Sequence, residues 1–179
     1  MNRYDLPIRE IAKKINLVYE RYGVSLHTEG RVDIKKDKKI IPPKLILVRG
    51  LPGSGKSTFA KNLTKDSKVK IHQYEADMYF IKDKEYVFDM SKIGEAHSWC
   101  QTKTMEKLMK NETVIVSNTF SRLWELQPYL NMGIMLDVET EVYCMKTMYN
   151  NIHNVPEEAI ERMKTSWEKY EGEGYIKSM

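Results

Sequence analysis

Three glycines, a lysine and a serine stand at fixed intervals in Gly50-Leu51-Pro52-Gly53-Ser54-Gly55-Lys56-Ser57, with Thr58 next in line. Glycine at 50, 53 and 55 lets the backbone fold tightly and approach a ligand closely. Successive N–H groups then point inward as an anion nest, and a following helix adds its positive N-terminal end. Lys56 offers a point charge to the outer phosphates of a nucleoside triphosphate, and the Ser57 hydroxyl is a ligand for Mg²⁺. The spacing therefore predicts that residues 50–58 bind ATP, with Ser57 on the metal.

Phosphoryl transfer asks for more than a cradle. It needs an in-line acceptor, a group to take the acceptor's proton, and positive charge on the group in flight. Asp77, in Glu75-Ala76-Asp77-Met78-Tyr79-Phe80, follows a strand and faces the edge of the sheet where ligands bind. It is the candidate base for an attacking hydroxyl. Glu75 is the alternative base, or a carboxylate that holds Mg²⁺ through water.

Two readings stay open for Asn118 in Ser117-Asn118-Thr119: a ligand for phosphate, water or acceptor, or a turn residue closing a strand. Arg122 is a candidate clamp on acceptor phosphate. Arg162 and Lys164 are candidates to bring charge over the nucleotide. For each of these three, a solvated surface charge is the plainer alternative. His97 is expected to be a hydrogen-bonded core histidine. His153 falls in Tyr149-Asn150-Asn151-Ile152-His153-Asn154-Val155-Pro156, which reads as a lid. Trp99, Trp124 and Trp167 fit helix faces and are expected to pack in the core.

The elements that must position these residues alternate. Leu45 to Val48 reads as a buried strand and Lys56 to Leu63 as the helix after the loop. Val69 to Tyr74 is a second strand, and Ser91 to Lys110 is a long helix that Asn111 ends. Thr113 to Val116 is a third strand, Arg122 to Leu136 a helix and Glu141 to Met145 a fourth strand. Pro156-Glu157-Glu158 opens the last helix, with Ile160, Met163 and Trp167 on its inner side. The alternation predicts an α/β fold of three layers, α/β/α, with a mainly parallel sheet. Before it, residues 1–43 form a separate N-terminal extension, helical over 8–22 and basic over 31–39. Residues 44–179 form the main domain.

Composition bounds the rest. The 179 residues are 41% hydrophobic, enough for a packed core, and the formal charge is +4. Cys100 and Cys144 lie far apart with no zinc-like spacing. Reduced thiols, no apolar signal-peptide core in Met1 to Ile15 and no apolar run of bilayer length predict a cytoplasmic protein without a membrane partner.

The ordered set Arg49 to Thr58, Glu75 to Phe80, Glu95-Ala96-His97-Ser98-Trp99-Cys100, Ser117 to Thr119 and Asn151 to Pro156 resembles a known family. It is similar to the P-loop kinases related to the 5′-hydroxyl kinase domain of phage polynucleotide kinase, especially the small phage and cellular ATPase-like members. The resemblance covers about residues 44–171. It implies the P-loop NTPase fold and transfer of the γ-phosphate of ATP to an acceptor hydroxyl. It also implies that Lys56 and Ser57 hold phosphates and metal, and that Asp77 is the base. Two positions depart from the pattern. Asn118 stands where the polynucleotide kinase has an aspartate that handles the acceptor, and Asn150 where many relatives have a lid arginine.

The expected activity is thus an ATP- and Mg²⁺-dependent phosphotransferase whose acceptor is the 5′ end of DNA or RNA. Its candidate catalytic residues are Lys56, Asp77, Arg122 and Arg162. The alternatives are a nucleotide-dependent adaptor ATPase, or a kinase of a nucleoside or sugar nucleotide.

Overall fold

The computed structural model of the chain describes residues 24–26, 32–34, 41–146 and 155–176, the first two segments as backbone. The chain divides into two units, Met1–Pro42 and Pro43–Met179. In the first unit, β1 (Val24–Leu26) pairs antiparallel with β2 (Val32–Ile34). The polar stretch 31–39 therefore contributes a strand. The helix read over 8–22 lies outside the described residues.

The second unit is built on a five-stranded sheet. Its strands are β3 (Lys44–Arg49), β4 (Ile71–Tyr74), β7 (Thr113–Ser117), β8 (Glu139–Met145) and β9 (Gly174–Ile176), in the order β4-β7-β3-β8-β9. Every neighbouring pair is parallel. A parallel sheet must be covered on both faces, so its central strands are apolar throughout. In β3 the side chains alternate: Leu45 and Leu47 join one core, Ile46 and Val48 the other.

The first core is roofed by α2 (Ile93–Leu108) and α3 (Leu123–Leu136), through Ala96, Cys100, Leu108, Leu126 and Tyr129. The second is roofed by α1 (Lys56–Asp66), through Ala60, Phe59 and Leu63. The last helix described, α4 (Glu157–Thr165), buries Ile160. These are the three layers expected from the alternation.

The helix ends follow local chemistry. α2 stops where Asn111 takes a left-handed φ of 57°, a conformation asparagine tolerates better than most residues. At the start of α3, the Arg122 amide donates to Glu125 Oε2 at 2.8 Å.

Two sequence expectations change, and one element is added. Trp124 is 71% exposed at the start of α3 and does not pack in the core. Trp167 lies beyond the end of α4, with the Arg49 guanidinium 4.3 Å from its ring centroid. Between the second strand and α2, the chain also forms a ribbon of β5 (Ile81–Lys82) and β6 (Glu85–Tyr86), which has no long apolar run to announce it.

Gly133 in α3 packs against the start of β8 without room for a side chain. A Cβ there would collide with Thr140 Oγ1 and sit 3.2 Å from the Val138 carbonyl oxygen. Gly133→Ala is therefore expected to destabilise the fold by about 1–3 kcal/mol despite its better helix propensity. A lower urea midpoint at unchanged m-value checks this, and an unchanged midpoint refutes it.

Candidate functional site

Parallel strands end together, so the turns after β3, β4 and β7 gather at one edge of the sheet. The loop after β3 curls over this edge. Gly53 (φ 77°) and Gly55 (φ 87°) hold left-handed conformations that side-chain-bearing residues rarely adopt. Gly50 is required by space: a Cβ there would lie 2.5 Å from Ser54 Oγ and 3.0 Å from Met145 Cβ. The curl is held by Ser54 N donating to Leu51 O and by Gly50 N donating to Thr119 O, each at 3.1 Å. It opens onto the N-terminus of α1, whose first turn carries no acid. Ser54 is buried, and its Oγ has no hydrogen-bond partner among the described residues.

Lys56 stands at the first position of α1 and donates from Nζ to Leu51 O at 3.0 Å. Burial pushes its pKa down to about 8, against the opposing pull of Glu75 and Asp77. Two carboxylates thus lie within electrostatic reach of the loop lysine.

Ser57 Oγ donates to Glu75 Oε2 at 2.8 Å, and Gln73 Nε2 donates to Glu75 Oε1 at 2.6 Å. A hydroxyl whose proton is taken by a carboxylate keeps its lone pairs for a cation. The donor set at Ser57 therefore fits Mg²⁺, an oxygen-seeking ion that usually takes one or two protein ligands beside phosphates. Glu75 serves here as the acceptor that orients Ser57.

Asp77 is the second residue of the short turn Ala76–Phe80 after β4. It is exposed and has no hydrogen bond or ion pair among the described residues. Its turn is pinned from below: Ala76 N donates to Asn118 Oδ1 at 2.9 Å, and Asn118 Nδ2 points to Cys100 Sγ at 3.8 Å. Asn118 is buried, so of its two readings the structure favours an internal tie between the ends of β4 and β7. Cys100 and Cys144 are both free and buried, and burial raises both thiol pKa values, leaving them in the unreactive protonated form.

Arg122 and Arg162 meet elsewhere. Both line a cavity of about 810 Å³ between the start of α3 and α4, together with Glu158, Glu161 and Ser166. Arg162 is exposed, while Arg122 pairs with Glu168 at 3.3 Å. The Leu123 amide, and then Arg122, hold the Glu168 carboxyl below its ordinary range. Lys164 pairs with Glu161 on its own helix. The segment holding His153 and Asn150 lies outside the described residues.

One residue of the site region was quoted in the sequence without a role. Arg49, the last residue of β3, is fully buried. It donates to the carbonyls of Phe120 (2.6 and 3.0 Å) and Glu168 (2.7 Å) and pairs with the buried Glu173 Oε2 at 2.9 Å. One guanidinium thus joins the strand before the phosphate loop to the loop after β7 and to the segment before β9. No spacing in the sequence marks Glu168 and Glu173 as its partners.

Loop, strand order and helix layers together define the fold of the P-loop kinases and ATPases, polynucleotide-kinase-like domains among them. A family model described as chromatin associated protein KTI12 matches residues 43–121. Human NEDD4-binding protein 2 is 31% identical over 147 residues, which are 76% of this chain and 8% of that protein. The chain therefore spans a small part of that relative's length. A chain of the Pnkp1/Rnl/Hen1 RNA repair complex superposes with a TM-score of 0.54 and 20% identity, over 75% of this chain and 46% of that one. Chaetomium thermophilum Kti12 in complex with ADP-AlF3 gives a TM-score of 0.54 and 14% identity, over 70% and 80%.

The depressed pKa of Lys56 has a sign that can be tested. Below pH 8 the folded and unfolded chains both hold its proton, and the burial penalty is present in full. Between about pH 8 and 10.5 the folded chain holds less of it, and the penalty is relieved. Lys56→Met should therefore stabilise the ligand-free protein by about 3 kcal/mol at pH 7. The gain should shrink as pH rises through that window. Urea denaturation at pH 7 and pH 10 checks this, and an equal or absent gain at both contradicts it.

Proposed function

We propose that the chain is an ATP-dependent phosphotransferase that moves the γ-phosphate to the 5′-hydroxyl of a polynucleotide. The observation that carries this reading is the juxtaposition of a phosphate loop with an unpaired, exposed Asp77 one turn beyond β4. The likeness to a chain of an RNA repair complex, and to Kti12 with ADP-AlF3, supports it.

In this reading, ATP lies with its phosphates against the amides of residues 50–58. Lys56 exchanges the Leu51 carbonyl for phosphate oxygen, restoring full worth to a cation that burial disfavours. Ser57, oriented by Glu75, is the protein ligand for Mg²⁺. When bound, Mg²⁺ neutralises charge on the phosphate oxygens. Asp77 accepts the proton of the incoming hydroxyl as its oxygen bonds to the γ-phosphorus. The bond from that phosphorus to the β–γ bridging oxygen breaks, and ADP leaves with the electron pair. Arg122 and Arg162 line a cavity that includes no residue of the phosphate loop, so in this reading they are left to meet the acceptor away from the group in flight.

The second reading is an adaptor ATPase that changes partners with its nucleotide. Asn118 favours it, because that side chain is spent on the Ala76 amide and leaves no acceptor-handling carboxylate at the end of β7. Its mark would be ATP-dependent association with a partner and no phosphorylated product.

Incubation with γ-labelled ATP and 5′-hydroxyl DNA and RNA oligomers separates the two. Lys56→Ala should cut transfer at least about 10²-fold through loss of phosphate contact. Asp77→Asn should keep ATP binding and cut kcat by about 10²–10⁴. An unaltered rate in Asp77→Asn removes the base, and label in no acceptor removes the kinase.

A further inference from the structure

Arg49 closes β3, and Gly50, the first residue of the phosphate loop, follows it directly. These two neighbours grip one short stretch of chain. Gly50 N donates to Thr119 O at 3.1 Å, which carries the β3–β7 pairing past its last rung, Val48 with Ser117. Arg49 Nε and Nη2 donate to Phe120 O at 3.0 and 2.6 Å. Ser121 O accepts from Glu168 N at 2.8 Å. Three successive carbonyls after β7 are thus held, two of them from the root of the loop.

This stretch would not keep its shape unaided. Phe120 has a φ of 47°, a left-handed conformation that a bulky residue keeps only where its surroundings impose it. Its ring is buried against Tyr129, 5.4 Å between centroids, which anchors the side chain. The Arg49 fork on its carbonyl anchors the peptide.

Arg49 is clamped in turn from far along the chain. Nη1 donates to Glu173 Oε2 at 2.9 Å, Nη2 donates to Glu168 O at 2.7 Å, and the Trp167 ring centroid lies 4.3 Å from the guanidinium. These partners all belong to the segment between α4 and β9. Arg49 itself is fully buried, so it meets no ligand and acts only through the main chain. A buried ion pair adds little net stability over apolar side chains of similar volume. Its contribution is direction: a planar guanidinium sets its N–H groups at fixed angles, which a lysine ammonium does not.

We propose that Arg49 is a positioning residue for the nucleotide: clamped by residues 167–173, it fixes the loop after β7, and through Thr119 and Gly50 it sets the mouth of the phosphate loop. The inference rests on the nucleotide-binding half of the phosphotransferase reading and asks nothing of the acceptor. It makes the segment between α4 and β9 part of the nucleotide site, although that segment follows the loop by more than a hundred residues.

The test is titration calorimetry of the full-length protein with Mg·ATP and with magnesium tripolyphosphate, which reads the phosphate grip without a base. Arg49→Met combined with Glu173→Leu removes both charges together, so that neither is left buried alone. Arg49→Lys keeps a charge opposite Glu173 and loses the fork on the Phe120 and Glu168 carbonyls. Both proteins should bind each ligand about tenfold more weakly, the effect of losing one charge-assisted hydrogen bond from a loop amide to phosphate. Urea midpoints of the same proteins separate this from loss of fold. A role in stability alone lowers the midpoint and leaves the Kd of the native protein as it was, and that result in either variant overturns the proposal. Should the double variant not fold, Arg49→Lys decides by the same measure.

Where transfer occurs, the variants should raise KM for ATP and leave kcat at saturating ATP unchanged, because Lys56, Ser57 and Asp77 are untouched. A lowered kcat at unchanged KM overturns the proposal. A wild type that binds Mg·ATP and labels no acceptor removes the kinase reading, and the Kd values then decide this inference by themselves. A wild type that binds neither ligand removes both.

Discussion

A lysine ammonium held partly out of water, with one carbonyl as its hydrogen-bond partner among the described residues, is the constraint around which this domain is arranged. Burial without a bonded counter-ion disfavours the charge, and a ligand rich in negative oxygen relieves that cost. The surrounding main chain is shaped for such a ligand: left-handed glycines, the end of a helix and a buried hydroxyl at Ser54 without a partner among the described residues. The two carboxylates that oppose the loss of charge, Glu75 and Asp77, differ in their own engagement. Glu75 accepts from Ser57 and Gln73, one on each oxygen, whereas Asp77 is exposed. The first can hold a metal-binding hydroxyl in place, and the second is open to a substrate.

Behind this edge lies a layer of fixed ties. Asn118 fastens the turn of Asp77 to the end of β7. Arg49 fastens the end of β3 to the loop after β7 and to the segment entering β9. Both groups are buried and hydrogen-bonded, as buried polar groups must be if they are not to cost stability. They make the three strand ends behave as one support, so that the loop lysine and the candidate base keep their relation while the exposed ribbon and the arginine-lined cavity meet whatever binds.

Much of this was legible in the sequence because local rules decide it. The apolar runs of β3 and β7 read as buried strands because both faces of a parallel strand are covered. The glycine spacing fixed the curl of the loop, and Asn111 marked the end of α2. What escaped was non-local. Arg49 finds Glu173 and Glu168 more than a hundred residues away, and no periodicity encodes such a meeting. The two-residue strands β5 and β6 are too short for an alternating pattern, and β9 is only three residues long. A large apolar residue in an amphipathic helix usually faces inward, but Trp124, in the first turn of α3, lies outside. Asn118 read equally as ligand or turn residue, since only the fold reveals that the Ala76 amide claims it.

The grip on a magnesium triphosphate is most directly tested by titration calorimetry of the wild-type protein with Mg·ATP. The account predicts a saturable one-to-one isotherm that weakens when EDTA removes the magnesium. Absence of heat with both Mg·ATP and Mg·GTP would contradict it.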